Sequence, residues 1–483
     1  MAATLSLIGL GPGSLDRVSA GALAVLADPA VTVIVRTLAH PSARELAAQR
    51  PVVTCDDLYD VGSDFDTVYT SIADRVIAAA TQGPTVYAVP GSIGVGERVI
   101  PLVQQAAAER GLTVVSFPGE SFLDLAFLAV GVDPIADSIQ ILDGRSLTDV
   151  PNLTIPTIIT QVDRPEVADR VTGVLAKVLD DDFEIVVLDA LGSVGARVET
   201  IALSALPATT LTALTSVFVP AAMVGLRGLI AINEILRGEC PWDKKQTHRS
   251  LLRHLVEETY EAVEALERLS ILAPEGDVDW VAYAEVEEEL GDVLLQVVFH
   301  ATLASEAGAF TMDEIAEGIR RKLVRRHPHV FGDTQVDDAD AVIRNWEALK
   351  ADEKDRQSLM DDIPAALPAL ARADKTQRRA RSVGFDYDDV AGALGDVHAE
   401  LSEFVGASDE DQESELGDVL FAVVNLARHI SADAESALRG AIDRFELRFR
   451  SMEAAASVGG SGLGDLSMEE MNDLWRAAKD QVG

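Results

Sequence analysis

The sequence is poor in cysteine and in basic residues, and it lacks long apolar runs. Cys55 and Cys240, the only cysteines in 483 residues, fall in different predicted domains, so we expect no structural disulfide and a reducing, cytoplasmic location. Lysine and arginine total 40 against 79 acidic residues, a net charge of −39, which argues against a nucleic-acid-binding surface. No apolar run reaches the roughly 18 residues of a membrane span and the start lacks a signal-peptide pattern, so we expect no membrane partner.

Lysine usage also divides the chain into two unlike halves. Before Lys244 there is a single lysine, Lys177, and the chain is rich in Val, Ala, Leu and Gly. After Lys244 the charge density rises and apolar residues recur at helical spacing. This periodicity predicts helices near residues 247–269, 280–305, 312–326, 340–355, 363–381, 387–405, 410–430, 434–452 and 468–479. We therefore predict an α/β N-terminal half followed by an all-α C-terminal half, with the boundary near residues 220–240. The 48% hydrophobic and 25% charged content is that of a globular chain.

The most informative motif is a hexapeptide, Glu-Leu-Gly-Asp-Val-Leu, that occurs twice. The copies occupy residues 289–294 and 415–420, so they are 415 − 289 = 126 residues apart. Each copy follows a helix-like segment with further glutamates, which are Glu257, Glu258 and Glu261 before the first copy and Glu400 and Glu403 before the second. The repetition indicates a tandem duplication that gathers acidic side chains twice.

These acids lie where they should repel one another. Like charges one helical turn apart cost a few tenths of a kcal/mol, as in the pair Glu289 and Asp292. Residues 281–300 contain no Lys or Arg, and residues 293–299 are almost wholly apolar. Carboxylates beside a core without basic partners predict a bound metal ion, and the alternative is a solvated acidic face. An oxygen-only ligand set suits Mg²⁺, completed by water and substrate phosphates.

The pattern Glu-Glu-x-x-Glu followed by Glu-x-x-Asp resembles the all-α nucleoside triphosphate pyrophosphatases, and the flanking segments resemble the MazG branch of that family. Those segments are residues 240–251, 325–332 and 384–386 and the Trp-containing ends at Trp346 and Trp475. The resemblance implies two MazG-like repeats, residues 226–357 and 358–483. It also implies cleavage of nucleoside triphosphates between the α and β phosphorus atoms, giving monophosphate and pyrophosphate. House-cleaning of damaged nucleotides is the expected cellular role, and control of ordinary nucleotide pools is the alternative.

The same resemblance implies roles for individual residues. The implied catalytic set is Glu257, Glu258, Glu261, Glu289 and Asp292. The implied metal ligands are Glu258, Glu261, Glu289 and Asp292 in the first repeat and Glu400, Glu403, Glu415 and Asp418 in the second. The implied nucleotide contacts are Arg321, Lys322, Arg325, Arg444, Arg448 and Trp475, and the alternative for the tryptophans is a core position. Ala399 stands where the family's doublet has a second glutamate, and which repeat is active stays open.

The N-terminal half begins with a strand over residues 4–8, a glycine-rich turn and a helix. Short apolar runs that alternate with helical segments predict further strands at residues 31–35, 85–89, 113–117, 157–161 and 184–188. Gly9, Gly11 and Gly13 in that turn are candidate cofactor-binding residues, because glycine permits tight turns and close backbone approach. With residues 87–91 and 121–124, this segment resembles the tetrapyrrole methylases over residues 1–225, which implies S-adenosylmethionine as a possible cofactor. The family's Gly-Asp-Pro is here Gly91-Ser92-Ile93, so the acidic residue expected in that loop is absent.

The sequence thus predicts a Mg²⁺-dependent nucleoside triphosphate pyrophosphohydrolase fused to a methylase-like α/β domain. The rival hypothesis is an S-adenosylmethionine-dependent methyltransferase whose helical half only senses nucleotide, and a third is a catalytically inactive scaffold. MazG-like bundles are completed by a second chain, so we expect a homodimer. Pairing of the two repeats within one chain is the alternative.

Overall fold

The computed structural model describes residues 4–61, 64–270, 273–334, 342 and 358–482. Contacts between Cα atoms divide the chain into two compact units, Met1–Ile315 and Ala316–Gly483. The first unit contains the two β-sheets and the first acidic repeat, and the second unit contains the second acidic repeat. The three-part division at residues 1–225, 226–357 and 358–483 remains a prediction.

The first sheet is parallel and has helices on both faces. Its strands are β1 (Thr4–Gly9), β2 (Thr32–Val35), β3 (Val53–Thr54), β4 (Thr85–Val89) and β5 (Thr113–Phe117), in the order β3-β2-β4-β1-β5. Its helices are α1 (Ala20–Leu26), α2 (Pro41–Gln49), α3 (Asp56–Val61), α4 (Phe65–Gln82) and α5 (Val99–Glu109). Alternate residues of β1 point to opposite faces, so Leu5 and Leu7 pack with α4 and α5, while Ile8 packs with α1 and α2. Burial on both faces explains the unbroken apolar run of β4.

A second sheet follows. Its strands are β6 (Gln140–Asp143), β7 (Thr157–Thr160), β8 (Glu184–Asp189), β9 (Arg197–Ala202) and β10 (Ser216–Val219), in the order β6-β7-β10-β8-β9. Only the β6–β7 pair is parallel among these. Helix α6 (Phe122–Val130) packs on one face through Leu123 and Ala126, and α7 (Pro165–Leu175) packs on the other.

Helices make up the rest of the described chain. They are α8 (Gly225–Glu239), α9 (His248–Arg268), α10 (Trp280–Glu306), α11 (Met312–Arg326), α12 (Pro328–Phe331), α13 (Ala369–Arg381), α14 (Val390–Gly406), α15 (Gln412–His429), α16 (Ala434–Val458) and α17 (Met468–Val482). An α/β half followed by a helical half confirms the predicted fold class. Each helix in the described part of the chain is too short or too polar to cross a lipid bilayer.

Most predicted boundaries in the helical half agree with the structure to within a few residues. Helix α11 was predicted over Met312 to Arg326 and is found there. The helix predicted from Ile363 begins instead at Ala369, because Pro368 adopts extended backbone at the N-cap and Pro364 precedes it. The helix predicted over residues 340–355, with Trp346, lies outside the described residues.

Candidate metal centres in two helical hairpins

The first candidate site lies on the hairpin of α9 and α10. Reciprocal hydrogen bonds between Thr247 and Ser250 cap the start of α9, and the Asp279 side chain caps α10. At one end of the hairpin, Leu251 is buried against Phe299 and Leu303. At the other end, Arg268 bonds to Glu285 at 2.9 Å. The start of α9 therefore lies beside the end of α10, and the end of α9 lies beside the start of α10, so the two helices are antiparallel.

The hairpin brings three carboxylates together. Glu258, Glu289 and Asp292 each offer an oxygen atom, and these atoms all lie within 4.8 Å of one another. All three residues are half-buried. Glu289 and Asp292 are three residues apart and share one face of α10, while Glu258 faces them from α9.

The electrostatics of this cluster are those of crowded negative charge. Partial burial raises the pKa of Glu258, and so do a hydrogen bond with Glu261 and the charge of Asp292. Partial burial also raises the pKa of Glu289, with contributions from Glu261 and Asp292. Arg268 opposes that shift but contributes less than the carboxylates. A positive charge bound at the cluster would relieve this repulsion.

The other two predicted acids lie at the edge of this cluster. Glu261 is exposed, but it is close enough to bond with Glu258. Glu257 is also exposed and lies 3.5 Å from His254. The structure thus groups Glu258, Glu289 and Asp292 and leaves Glu257 outside the group of three.

The second repeat builds an equivalent cluster on the hairpin of α14 and α15. Oxygen atoms of Glu400, Glu415 and Asp418 also lie within 4.8 Å of one another. The first two residues are half-buried and Asp418 is exposed. Partial burial raises the pKa of Glu400, followed by the charges of Glu403 and Asp418. Glu403 is exposed and, like Glu261, lies one turn after the clustered glutamate.

Two features of the second cluster differ from the first. Ala399 is exposed and supplies no carboxylate, as the sequence indicates. Asp396 lies one turn before Glu400 and accepts a hydrogen bond of 2.6 Å from the Tyr387 hydroxyl. The charge of Asp396 contributes to the raised pKa of Glu400. Sequence reasoning missed Asp396, although its spacing of four residues from Glu400 was a usable signal.

Both clusters fit a hard divalent cation. Their donors are carboxylate oxygens alone, and three ligand atoms leave room for water and for a substrate oxygen. Partial burial and then repulsion from neighbouring carboxylates hold the pKa values of Glu258, Glu289 and Glu400 above their usual range. A dication would relieve both of these costs.

The predicted nucleotide contacts of the second repeat lie on α16 and α17, which pack together. The Arg448 guanidinium lies over the Trp475 ring, 5.9 Å from its centroid, and the Lys479 ammonium lies at the same distance. Phe445 packs against the half-buried Trp475 at 5.2 Å between ring centroids. Arg444 is exposed one turn before Arg448. The structure thus brings Arg448 and Trp475 together, and their contact with nucleotide remains a prediction.

The corresponding basic residues of the first repeat lie on α11. Arg321 is bonded to Glu317, and Arg320 and Arg321 together lower the pKa of that carboxyl to about 2. The boundary between the two compact units falls within α11, between Ile315 and Ala316. Nucleotide contact by Arg321, Lys322 and Arg325 remains a prediction.

The glycine-rich turn of the N-terminal half is shaped by backbone packing. A Cβ atom on Gly9 would lie 2.2 Å from the Pro118 carbonyl oxygen, and one on Gly13 would lie 2.1 Å from that of Gly192. Gly11 has a φ of +69° and forms a bridge with Gly91. These contacts explain why the three positions are glycine. A role for them in binding S-adenosylmethionine remains a prediction.

Two family models match the chain. The model for the MazG nucleotide pyrophosphohydrolase domain matches residues 246–331, which include the first carboxylate cluster, and the model for tetrapyrrole (corrin/porphyrin) methylases matches residues 4–207. The chain is 42% identical over 256 residues to the nucleoside triphosphate pyrophosphohydrolase/pyrophosphatase MazG of Thermotoga maritima, which covers 52% of this chain and 94% of the relative. The chain belongs to the MazG family. It carries a tetrapyrrole methylase domain in its N-terminal half.

The chain is also similar to other proteins. The nucleoside triphosphate pyrophosphohydrolase of Escherichia coli K12 is 40% identical over 251 residues, or 50% of this chain and 91% of the relative. The uncharacterized protein YabN of Bacillus subtilis is 38% identical over an alignment of 500 positions that covers 99% of each chain. Among solved structures, a uroporphyrin-III C-methyltransferase from Thermus thermophilus matches 48% of this chain and 96% of its own, with 19% identity and a TM-score of 0.37.

Proposed function

We propose that this MazG-family protein hydrolyses nucleoside triphosphates to nucleoside monophosphates and pyrophosphate with the help of Mg²⁺. The observation that carries the proposal is the pair of equivalent three-carboxylate clusters, each built from a glutamate on one helix and an i, i+3 Glu–Asp pair on its antiparallel partner. The names of the relatives from Thermotoga maritima and Escherichia coli support the same reaction.

The side chains of each cluster would act by binding and orientation. Glu258, Glu289 and Asp292, or Glu400, Glu415 and Asp418, would hold the cation on one side and leave its other positions to water and phosphate oxygens. A Mg²⁺ ion bound there supplies charge that offsets the triphosphate and lowers the pKa of a coordinated water. Water is added across the anhydride between the α and β phosphorus atoms, and pyrophosphate leaves with the β and γ phosphates.

The aromatic and basic side chains of α16 and α17 would position the nucleotide. An arginine fork such as that of Arg448 can bond to two phosphate oxygens, and the indole of Trp475 can stack on a base. The Arg448 guanidinium lies 5.9 Å from the centroid of the Trp475 ring, and this proximity supports contact of both side chains with one nucleotide.

We also propose that the protein acts in the cytoplasm as a homodimer and removes unwanted nucleotides. Large apolar side chains stay exposed on the second unit, including Leu416 and Leu420 on α15 and Phe445 and Leu447 on α16. Surfaces of this kind mark contacts with another chain, and a second copy of the helical bundle would cover them. Sedimentation equilibrium of the full chain gives the oligomeric state, and a monomer at micromolar concentration contradicts the dimer.

The test of the activity is a product analysis with each common nucleoside triphosphate, with and without Mg²⁺. Equimolar monophosphate and pyrophosphate that appear only with the metal support the proposal. Release of orthophosphate alone, or no product with any triphosphate, rules the reaction out.

A further inference from the structure

A cleft of about 780 Å³ opens in the first unit between its two sheets. It is lined by residues that follow the carboxyl ends of strands in both sheets, among them Pro12 after β1, Arg36 after β2, Gly91 after β4 and Gln161 after β7. Loops at the carboxyl ends of strands are where α/β folds place their ligands. The cleft is separate from the two carboxylate clusters, since none of their residues lines it.

Arginine and aromatic side chains dominate the chemistry of this cleft. Arg36, Arg98 and Arg145 line it, while Asp143 is the one carboxylate among the lining residues. The Asp143 side chain already accepts a hydrogen bond of 2.9 Å from the Arg145 backbone N–H. Arg36 is ion-paired with Glu97 and Arg145 with Asp163, so Arg98 is the lining arginine without a counter-charge within the described residues.

The arginines are arranged against flat rings. The Arg36 guanidinium lies 5.7 Å from the centroid of Tyr69, and that of Arg145 lies 5.9 Å from Phe65. Phe65 and Tyr69 stack on each other with centroids 5.9 Å apart. Rings and guanidinium planes of this kind hold an aromatic ring by stacking and an anion by forked hydrogen bonds.

Arg98 lacks a counter-charge. It is exposed and makes no hydrogen bond or ion pair within the described residues. It is also the N-cap residue of α5, whose first turn has no acidic residue. A cation at the positive end of a helix is unfavourable on its own, and an anion bound beside it would satisfy both the guanidinium and the helix terminus.

Buried polar groups form part of the cleft. His40 lines it and is only 6% exposed, and its Nδ1 atom has no hydrogen-bond partner within the described residues. Burial lowers the pKa of His40 to about 4, so the ring is neutral at pH 7. Arg36 is ion-paired with the buried Glu97, and its Nε donates to the Tyr59 hydroxyl at 3.0 Å. These contacts hold the Arg36 side chain in place.

The backbone of the cleft is also strained. Gln161 has a φ of +59° and Ala190 a φ of +51°, and both residues line the cleft at the ends of β7 and β8. Non-glycine residues in this conformation cost free energy and concentrate at binding sites.

We propose that this cleft binds a nucleoside phosphate, with the base against Phe65 and Tyr69 and the phosphate on Arg98 and Arg145. A phosphate suits the unpaired guanidinium of Arg98 together with that of Arg145, which its ion pair with Asp163 holds in place. The cleft volume of about 780 Å³ exceeds that of a nucleotide. This second nucleotide site is independent of the proposed hydrolysis, because no residue of either carboxylate cluster takes part.

The test is isothermal titration calorimetry of the full chain with AMP, GMP, CMP and UMP, each without divalent cation. Arg98→Ala is the main variant, because an exposed and unpaired side chain can be removed without loss of folding. Arg110→Ala, at the other end of the same helix, is the matched control. Arg444→Ala separates the cleft from the nucleotide contacts proposed in the second repeat.

We expect at least one monophosphate to bind with an affinity that falls about tenfold in Arg98→Ala and stays unchanged in Arg110→Ala and Arg444→Ala. Arg145→Gln should weaken the same binding event. The proposal is overturned if no monophosphate binds, or if Arg98→Ala and Arg145→Gln bind as tightly as the unmodified chain. It is also overturned if uroporphyrin or S-adenosylhomocysteine binds the cleft while all four monophosphates do not.

Discussion

The two acidic hairpins have the same three-carboxylate cluster in different surroundings. Glu258 and Glu400 match, as do Glu289 with Glu415 and Asp292 with Asp418. The first and second clustered acids are 289 − 258 = 31 residues apart in one repeat and 415 − 400 = 15 residues apart in the other. The cluster is unaffected by this change of connection length, because an i, i+3 pair on one helix and one residue on an antiparallel neighbour define it.

The surroundings differ in charge. At matched positions, 142 residues apart, the first repeat has His254 and the second has Asp396. His254 lies 3.5 Å from Glu257, whereas Asp396 adds negative charge near Glu400 and is held by Tyr387. The two repeats thus have the same arrangement of three carboxylates but different charges beside it. We therefore expect the two sites to differ in metal affinity.

The hairpins are also anchored differently. In the first repeat Arg237 forms two 2.8 Å bonds to Glu306, which is 46% exposed. In the second, Asp386 is almost enclosed and is paired with Arg428 and His429. The anchor of α15 is therefore a more buried ion pair than that of α10.

The largest expected effect comes from removing one ligand in each cluster. Glu289→Gln and Glu415→Gln keep the side-chain shape and remove a charge that would hold the proposed cation. We expect the variant in the working repeat to lose at least about 100-fold in the rate of pyrophosphate release, and the double variant to lose all activity above background. Steady-state assays of pyrophosphate at saturating Mg²⁺ measure this.

Glu287→Gln and Glu413→Gln are matched controls, because both residues are exposed on the same helices and lie outside the clusters. Full activity in both Glu289→Gln and Glu415→Gln would show that neither cluster binds the essential metal.

The next largest expected effect is the difference in stability lost when the ion pair that anchors each hairpin is broken. Asp386→Asn leaves Arg428 buried beside a neutral group, so we expect the second hairpin to lose about 3 kcal/mol of local stability. Hydrogen exchange of the α15 amides measures the loss. Glu306→Gln is the matched change in the first hairpin and should cost at most about 1 kcal/mol, because that carboxylate is partly exposed.

The stability that the Asp386 ion pair contributes decreases at low pH. The Arg428 guanidinium lowers the pKa of Asp386 to about 2, below the ordinary value of 3.8. The contribution of Asp386 to stability is therefore fully present above about pH 4 and is lost as the pH falls toward 2. The difference in local stability between Asp386→Asn and the unmodified chain should therefore decrease as the pH falls from 4 to 2. A stability difference at pH 2 as large as that at pH 7 would contradict the ion-pair explanation.

A smaller effect is expected from Trp475→Ala. Loss of the indole removes a surface on which a base can stack, so we expect KM for the triphosphate to rise about tenfold with little change in kcat. Trp280→Ala is the control, since that indole is 78% exposed at the start of α10. Equal KM values for Trp475→Ala and the unmodified chain would assign the indole to packing with Phe445.

The smallest expected effect comes from restoring the missing glutamate. Ala399 is exposed, so Ala399→Glu should fold normally. An added carboxylate beside Glu400 should tighten Mg²⁺ binding at the second cluster by roughly threefold, because more ligand charge raises affinity. Calorimetric titration of Mg²⁺ into the Glu289→Gln background isolates that cluster. Weaker binding would mean that repulsion from Asp396 and Glu403 outweighs the added ligand.

Much of the helical half was predictable because its signals are local. The repeated hexapeptide and its i, i+3 spacing predicted that Glu289 and Asp292, like Glu415 and Asp418, share one face of a helix, and helical periodicity predicted most helix bounds. The start of α13 was misplaced by six residues, since apolar periodicity continued through Pro364 and Pro368 while proline geometry prevented the helix.

The N-terminal half was predictable only in outline. Strands β1, β4 and β5 are short apolar runs and were found from sequence. Strands β6 and β9 of the second sheet were not, because half-exposed strands such as β9 lack a continuous apolar run. The sequence did not predict that Arg36, Arg98 and Arg145 line one cleft, because these residues are widely separated along the chain.

The sequence by itself determined the class of each half and the acids of each repeat, because helix periodicity and residue chemistry act over a few neighbouring positions. Only the tertiary structure decided that Glu258 faces Glu289 and Asp292 while Glu257 does not, and that three distant arginines meet in one cleft. Those outcomes depend on helix rotation within a hairpin and on how loops converge at strand ends. Both are settled by packing between segments far apart in the chain.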